Sequence, residues 1–269
     1  MRADFKSTTE QCIQDVKLWM NINKLKLNDS KTEVMLCYNP LNTSPGSTIK
    51  LEVNGHEIIP SSKIKNLGVM FDEDLSMSSQ VRNICQKTYF QLRKIASIRN
   101  FLTESAATTL VTTLVLSNLD YCNSLLAGIT AENLTKLQMI QNHAAKLIKR
   151  KKKFDHVTPL LLDLHWLPVK QRISYKICLL CYKALNNLAP CYVKDFLNVY
   201  TPIRQLRSSS DKTIFTKPTP ELKRYGERSF SYYGPNVWNN LPFSLRNSPD
   251  LHSFKRNLKH HLFVKAFNE

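Results

Sequence analysis

The sequence predicts a mainly α protein whose amino-terminal part is α+β. Up to about residue 75, a helical stretch is followed by short β-rich runs between turn residues. From Ser78 onward, apolar residues recur three or four positions apart over long stretches. The 42% hydrophobic content of the 269 residues is enough for buried cores, which excludes disorder throughout the chain.

The first predicted element is a helix of about four turns. Residues 7–10, Ser-Thr-Thr-Glu, match a capping box, in which an N-cap hydroxyl and a glutamate three residues later satisfy the first N–H groups of a helix. Ile13, Val16 and Met20 follow at helical spacing. We therefore place a helix over this stretch.

Strands are predicted next. Residues 32–38 are too β-rich to continue the helix and are bounded by a loop rich in Pro, Asn and Ser. Asn54-Gly55 tolerates positive φ and predicts a hairpin turn between strands at 49–53 and 56–59. Another strand is predicted over 66–71.

Three longer helices are predicted after Ser78. The first covers about 20 residues of amphipathic pattern. The second runs from about Glu104 to Asn118, and the third runs from Ala131 to Ile148 with Thr130 as its N-cap.

The carboxy-terminal part is rich in helix signals. Pro159 and Pro168 each stand where a helix can begin, and a final amphipathic helix is predicted around residues 251–262. Residues 201–235 are rich in Ser, Arg, Thr and Pro, so we expect irregular structure there.

The excess of positive over negative charge lies wholly in one part of the chain. Residues 1–75 hold 9 Lys and Arg against 10 Asp and Glu, whereas the remainder holds 29 against 11, which gives the net charge of +17. A strongly basic surface indicates a polyanionic partner, and nucleic acid is the first candidate.

The densest charge is the basic segment, residues 149–153, with the sequence Lys-Arg-Lys-Lys-Lys. Like-charge repulsion predicts that its side chains are solvated. Three interpretations stay open: a solvated face, contact with phosphates, and a nuclear-import signal. Tyr89 and Phe90, on the helix predicted from Ser78, stand beside Arg93 and Lys94 and either stack on sugars or bases or belong to the core. The candidate nucleic-acid-binding residues are Lys87, Arg93, Lys94, Lys146, Lys149, Arg150, Lys151, Lys152 and Lys153.

No metal site is predicted. Cys178 and Cys181, with Cys191 and His165, give a zinc-like count, but their CxxC spacing lies on an apolar helix where cysteine behaves as a small hydrophobe. The three adjacent carboxylates at 72–74 are interpreted as a solvated turn, because they point in different directions on an extended chain. The scattered cysteines and the lack of an apolar signal or membrane-spanning run predict an intracellular protein, nuclear or cytoplasmic, that is not secreted and has no membrane partner.

Several strings of this sequence resemble, in order, the reverse transcriptases of LINE (non-LTR) retrotransposons of the jockey and chicken-repeat type. Because they occur in the family's order and spacing over essentially the whole chain, the resemblance is specific. The strings are LWM at 18–20, LKLNDSKTEVM at 25–35, NLGVMFD at 66–72, LDYC at 119–122, LHWLPV at 164–169, RSF at 228–230, VWNNLP at 237–242 and FKRNLK at 254–259.

The resemblance implies three parts. Residues 1–75 would be a remnant of the polymerase palm, with its helix and short β-sheet; residues 76–158 would be a helical, thumb-like domain; and residues 159–269 would be the family's helix-rich carboxy-terminal extension. RNA template and DNA primer, or an RNA–DNA duplex, would be the partners.

Two groups of residues acquire roles by this resemblance. Lys31 matches the lysine thought to protonate the leaving pyrophosphate, although on this chain a plain surface lysine is the competing interpretation. Leu67, Gly68 and Val69 match the strand that grips the primer end, where Gly68 either allows close approach of the primer backbone or marks a bulge.

The family's catalytic Ala-Asp-Asp motif does not occur in this sequence, which begins after the position where that motif would end. In a full-length relative, aspartates of the palm hold Mg²⁺; this chain is expected to hold no cofactor. We therefore expect a polymerase fragment that contributes template and primer binding. The alternative is a repurposed nuclear nucleic-acid-binding or scaffold protein without polymerase activity.

Primer extension tests the expected lack of catalysis. We expect no DNA synthesis by the purified chain on a primed RNA template with magnesium and all four nucleotides, because two-metal phosphoryl transfer needs carboxylates that hold both ions at the reacting phosphate. Extension above a no-protein background, with an active reverse transcriptase as positive control, would contradict this.

Overall fold

A computed structural model of the chain describes residues 2–28, 31–37, 51–53, 56–201, 213–220 and 223–267. The protein is 62% helix and 6% strand, which confirms the mainly α class. It divides into two compact units, Met1–Gln80 and Val81–Glu269. The predicted boundary after residue 158 lies inside the second unit.

The first helix, α1, comprises Arg2–Ile22. The predicted helix is therefore confirmed, but the capping box at residues 7–10 lies inside it and does not mark its start. Glu10 instead accepts a hydrogen bond from the backbone N–H of Glu52 at 2.9 Å, which ties α1 to the first strand.

Two antiparallel hairpins follow. Strands β1 (Leu51–Val53) and β2 (His56–Ile58) pair as predicted, while their Asn54-Gly55 turn lies outside the described residues. Strands β3 (Lys63–Asn66) and β4 (Val69–Asp72) form the second hairpin.

The second hairpin corrects the single strand predicted over 66–71. The chain reverses at Leu67 and Gly68, whose φ angles are 46° and 85°. Positive φ at both central residues is the conformation of a type I′ turn, so Gly68 is a turn residue, not a bulge. Leu67 is 84% exposed at the tip, whereas Val69 is buried.

The strand predicted over 32–38 is wrong for its described part. Residues 32–37 have no regular secondary structure, and Tyr38 lies outside the described residues. The C=O of Val34 accepts a hydrogen bond from the N–H of Ser61 at 2.8 Å, but no ladder of paired residues includes this stretch. High β propensity gives a strand only where a neighbouring strand supplies partners.

Asp72 is buried at the start of α2, which comprises Ser78–Ile98. Its Oδ1 accepts from the N–H of Met77 (2.9 Å), and its Oδ2 accepts from the N–H of Ser79 and the hydroxyl of Ser76 (both 3.1 Å). Burial raises the pKa of Asp72, but these hydrogen bonds outweigh it, so the pKa lies below its ordinary value. The prediction of a solvated turn at 72–74 is therefore wrong for Asp72. Its carboxylate accepts hydrogen bonds from the residues just before α2 and in its first turn.

The helix predicted over 104–118 is interrupted. It consists of α3 (Glu104–Val111), a π-helical turn (Thr112–Leu116) and α4 (Ser117–Asp120). Helix α5 (Ala131–Ile148) agrees with its prediction, and the Thr130 side chain caps it by accepting from the N–H of Asn133.

The remaining helices include those predicted at Pro159 and Pro168 and the final amphipathic helix. The irregular structure predicted over 201–235 is confirmed at 201 and over 213–220 but is wrong at Lys223–Gly226 and from Phe230 onward, and 202–212 and 221–222 lie outside the described residues. The helices are α6 (Thr158–Asp163), α7 (Val169–Leu185), α8 (Cys191–Lys194), α9 (Lys223–Gly226), α10 (Phe230–Asn239), α11 (Phe243–Arg246) and α12 (Leu251–Phe267).

Helix α7 lies at the centre of the second unit and packs against α5, α10 and α12. Cys178 and Cys181 are fully buried in this core, and burial raises the pKa of the Cys178 thiol to about 12. Their interpretation as small hydrophobic residues is thus confirmed. Tyr182 stacks on Phe254 with ring centroids 4.2 Å apart, and its hydroxyl donates to the C=O of Ser248 at 3.0 Å.

Replacing Asp72 tests the cap of α2. We expect Asp72→Asn to lower the free energy of unfolding at neutral pH by about 1–2 kcal/mol, because the cap loses its charge and one of its two acceptor oxygens. The folded-state pKa is depressed, so the carboxylate stabilises the fold above its unfolded pKa. That contribution disappears as the pH falls through the folded value.

Urea unfolding at several pH values measures this effect. The difference between wild type and Asp72→Asn should shrink below about pH 4. The neighbouring Glu73→Gln is the control and should change stability by less than about 0.5 kcal/mol. A pH-independent difference, or an equal effect of the control, would exclude the charged cap.

Candidate nucleic-acid interface

A buried arginine closes the carboxyl end of α5. The Arg99 guanidinium donates from Nε to the C=O of Leu147 (2.9 Å), from Nη2 to that of Ile148 (2.6 Å) and from Nη1 to that of Leu102 (2.8 Å). The last carbonyls of a helix have no partner within it, and they carry the negative end of the helix dipole. Arg99 therefore fixes the end of α2 against the end of α5, directly before the basic segment.

The chain leaves α5 through Arg150. Its φ is +50°, and the N–H of Lys151 donates to the C=O of Lys146 at 2.9 Å, the 6→1 bond of a Schellman motif. Glycine usually takes this left-handed position. The Arg150 Nη2 reaches the C=O groups of Arg99 and Leu102 at 3.4 and 3.3 Å, so this guanidinium is partly engaged by the protein.

Lys149 is not a solvated cation, which corrects the prediction for this member of the basic segment. Its ammonium pairs with Glu104 at the start of α3 and with Asp163 at the end of α6, and its side chain is only 19% exposed. The hydrogen bonds to Asp163 and Glu104 raise the pKa of Lys149. Lys149 therefore joins three helices instead of facing a ligand.

The other three lysines of the segment agree with the prediction. Lys151, Lys152 and Lys153 are exposed. Lys153 lies over the ring of Phe154 with its Nζ 5.7 Å from the centroid, and Phe154 is 89% exposed. The sequence prediction did not include Phe154, although an aromatic residue next to a basic run is a pattern that sequence reasoning can use.

The cations predicted on α2 are also exposed. They are Lys87, Arg93 and Lys94. Lys94 lies 4.4 Å from the ring centroid of Phe90, which is 48% exposed, whereas Tyr89 is half-buried. Of the two aromatics, Phe90 is therefore the one placed for contact with a ligand.

Tyr89 connects α2 to α5. Its hydroxyl lies 3.2 Å from Nδ1 of His143. Burial lowers the pKa of His143, and the charges of Lys146 and Lys153 lower it further. The Nζ of Lys146 donates to the C=O of Lys153. The side chains of Lys146 and Lys153 therefore form a positively charged cluster beside His143. Sequence reasoning missed His143, since no motif marks it.

The residues assigned by resemblance lie in the first unit. Lys31 is exposed, and its backbone N–H donates to the C=O of Asn28 at 3.1 Å. Leu67 and Gly68 form the exposed turn between β3 and β4 described above, and Val69 is buried.

The described residues contain neither a metal-binding cluster nor a helix suited to a bilayer. No group of three or more His, Cys, Asp or Glu side chains there has an arrangement that would hold a metal ion. None of the helices in these ranges combines the length and apolar character needed to cross a membrane.

Comparison with known proteins returned no match: no protein-family model, no curated protein and no solved structure resembles the chain at a significant level.

The role of Lys149 can be separated from that of its neighbours by stability measurements. We expect Lys149→Gln to lower the free energy of unfolding by about 1 kcal/mol, since it removes two partly exposed ion pairs. Lys151→Gln, the matched control two residues away, should change it by less than about 0.5 kcal/mol. Equal effects in chemical denaturation would show that the ion pairs of Lys149 contribute nothing.

Proposed function

We propose that the second unit binds the phosphate backbone of nucleic acid, in the manner expected of the thumb and carboxy-terminal part of a LINE-type reverse transcriptase. The observation that carries this proposal is the separation of charge between the units. Residues 76–80 are uncharged, so residues 81–269 hold 29 Lys and Arg against 11 Asp and Glu, while residues 1–80 hold 9 against 10. A region with this excess of positive charge attracts polyanions, and binding to them releases counterions.

The binding surface centres on the junction of α2 and α5. Lys151, Lys152 and Lys153 extend from the end of α5, and the Arg99 and Tyr89 contacts hold α2, with its exposed cations, beside α5. Phosphate contacts from such side chains position a duplex without reading its sequence. That property suits a protein that must hold any template.

Lys149 and Arg150 have a structural role in this proposal. Their engagement with carboxylates and carbonyl groups orients the segment and leaves three lysines as its phosphate contacts. Phe154 and Phe90, each with a lysine over its ring, supply exposed faces on which a base or sugar can stack.

Polymerase activity is not part of the proposal for this chain, because the sequence holds no Ala-Asp-Asp motif. A repurposed nuclear nucleic-acid-binding or scaffold protein would use the same surface. Sequencing the transcript upstream of the Met1 codon distinguishes these two functions. A continuous reading frame that encodes the Ala-Asp-Asp motif favours a reverse transcriptase. An untranslated leader, together with detection of the protein itself, favours a repurposed binding or scaffold protein.

The salt dependence of binding tests the surface. We expect the chain to bind an RNA–DNA duplex, and we expect replacement of Lys151, Lys152 and Lys153 by Gln to make the slope of log K against log salt shallower by about 0.7–0.9 for each phosphate that is no longer neutralised. Fluorescence anisotropy at four or more salt concentrations gives this slope. The variant should bind all sequences more weakly to a similar extent.

Lys24, Lys26 and Lys65 provide the matched control. They are three exposed lysines of the first unit, and their replacement by Gln removes the same charge. The control should retain the wild-type slope. If both triple variants change the slope equally, binding follows net charge alone and the proposed surface is wrong; if neither changes it, the phosphates are bound elsewhere.

A further inference from the structure

A cleft of about 380 Å³ opens in the second unit between the interrupted helix at 104–120, helix α7 and helix α12. Three of the strings that carry the family resemblance meet here. The string at 119–122 contributes Asp120, the string at 164–169 contributes His165, Trp166 and Leu167, and the string at 254–259 contributes Lys259. The proposed phosphate surface does not use this cleft.

The charges of the cleft favour an anion. Asp120 is the carboxylate in its lining, and Arg172 of α7 engages it fully: Nε lies 2.8 Å from Oδ1, and Nη2 donates to Oδ2. Lys176 and Lys259 also line the cleft, and within the described residues neither ammonium has an ion-pair partner. Two uncompensated cations therefore face the cleft beside a neutralised pair.

Polar groups without partners accompany these cations. Along the helix that borders the cleft, the hydroxyls of Thr108, Thr109, Thr113 and Ser117 each bond to the C=O four residues earlier. The hydroxyl of Thr112, which lines the cleft, has no such bond in the described structure. Asn123 is 3% exposed and lines the cleft, and its Oδ1 has no hydrogen-bond partner among the described residues. The Oδ1 atom is itself buried, so it is an unsatisfied polar atom in the wall and not an atom that a ligand in the cleft contacts directly.

The rest of the lining is apolar or aromatic. Leu116, His165, Trp166, Leu167 and Tyr175 form it, and Trp166 is 8% exposed. A free inorganic anion would leave this wall uncovered, whereas a flat ring attached to the anion would cover it. Base–aromatic contacts of this type are worth about 1–3 kcal/mol per base.

The backbone around the cleft is irregular at three points. The π-helical turn at Thr112–Leu116 borders it, and Cys122 and His165 both have φ of +51°. Non-glycine residues in the left-handed region and π-helical turns are unfavourable locally and are concentrated at ligand sites.

We propose that this cleft binds a single nucleotide, with its phosphate at Lys176 and Lys259 and its base against the wall of Leu116, Trp166 and Tyr175. The nucleotide is either free or the terminal residue of a strand. This site goes beyond backbone binding by the basic surface and does not depend on it.

Calorimetric titration of the full chain tests the cleft. The probes are the four nucleoside 5′-monophosphates, adenosine as a base without phosphate, inorganic phosphate as an anion without base, and a short single strand with a 5′-phosphate. We expect saturable binding of monophosphates with a Kd between about 10 µM and 1 mM, and binding of adenosine and of phosphate at least about tenfold weaker. The comparison of the strand with the monophosphates uses the variant in which Lys151, Lys152 and Lys153 are replaced by Gln, so that the basic surface does not contribute. In it, tighter binding of the strand than of any monophosphate identifies a strand end as the ligand of the cleft, and the reverse identifies a free nucleotide.

The double variant Lys176→Gln/Lys259→Gln should weaken monophosphate binding about tenfold or more. Its matched control is Lys170→Gln/Lys255→Gln, which removes two exposed lysines from the same helices, α7 and α12, outside the cleft. The control should keep wild-type affinity, and circular dichroism establishes that both variants are folded.

Three results would overturn the proposal: no saturable monophosphate binding by the wild-type chain, inorganic phosphate binding as tightly as the nucleotides, or an equal loss of affinity in both double variants. If the double variant misfolds, the titrations of the wild-type chain with the nucleotides, adenosine and phosphate still test the proposal. Duplex binding measured on the same samples keeps this test separate from the proposed function. The cleft variant retains the basic surface, so replacing Lys151, Lys152 and Lys153 in it should make the salt slope of duplex binding shallower, as the same replacement does in the wild type.

Discussion

The buried guanidinium of Arg99 is the contact on which the arrangement of the second unit most depends. An arginine is always charged, so its burial is tolerable only where acceptors surround it. The carbonyls of Leu147 and Ile148 are such acceptors, because the last turn of α5 leaves them unpaired. One residue thereby satisfies the end of α5, supports the turn at Leu102 and holds α2 in place. The direction in which the basic segment leaves α5 follows from this buried contact.

Identical side chains within the basic segment have different surroundings as a result. Lys149 lies on the inner side of the turn, within reach of carboxylates on α3 and α6, and stabilises the junction of three helices. Lys151 and Lys152, on the outer side, face solvent. Charge density alone does not distinguish a lysine that stabilises the fold through ion pairs from one that is exposed to solvent.

Within the second unit, residues of the strings on which the proposed reverse-transcriptase resemblance rests fall into two structural groups. Trp238 and Phe254 are completely buried and pack with Tyr182 of α7 in the core of the second unit. Asp120, Trp166 and Lys259 instead lie around the cleft. The first group is explained by packing, which requires large apolar side chains in fixed positions. The second includes charged and polar groups that packing does not require, which is why the cleft supports a proposal about a ligand.

Local sequence signals were sufficient to predict the mainly α class, the helices α2, α5, α7 and α12, and the concentration of positive charge after residue 75. These features depend on hydrophobic periodicity, on caps such as Thr130 and on composition, all of which act between near neighbours. The exposure of Lys151, Lys152 and Lys153 followed from the same local reasoning. The reversal at Leu67-Gly68, the absence of a strand at residues 32–37, the ion pairs of Lys149 and the assembly of the cleft emerged only in the folded chain. The last two of these features depend on contacts between residues far apart in the sequence. Arg99 donates to carbonyl groups of α5 that lie 48 and 49 residues further along the chain, and Arg172 pairs with Asp120, 52 residues before it. Periodicity carries no information about which distant side chain will meet a given charge, because that choice is made by the packing of whole helices.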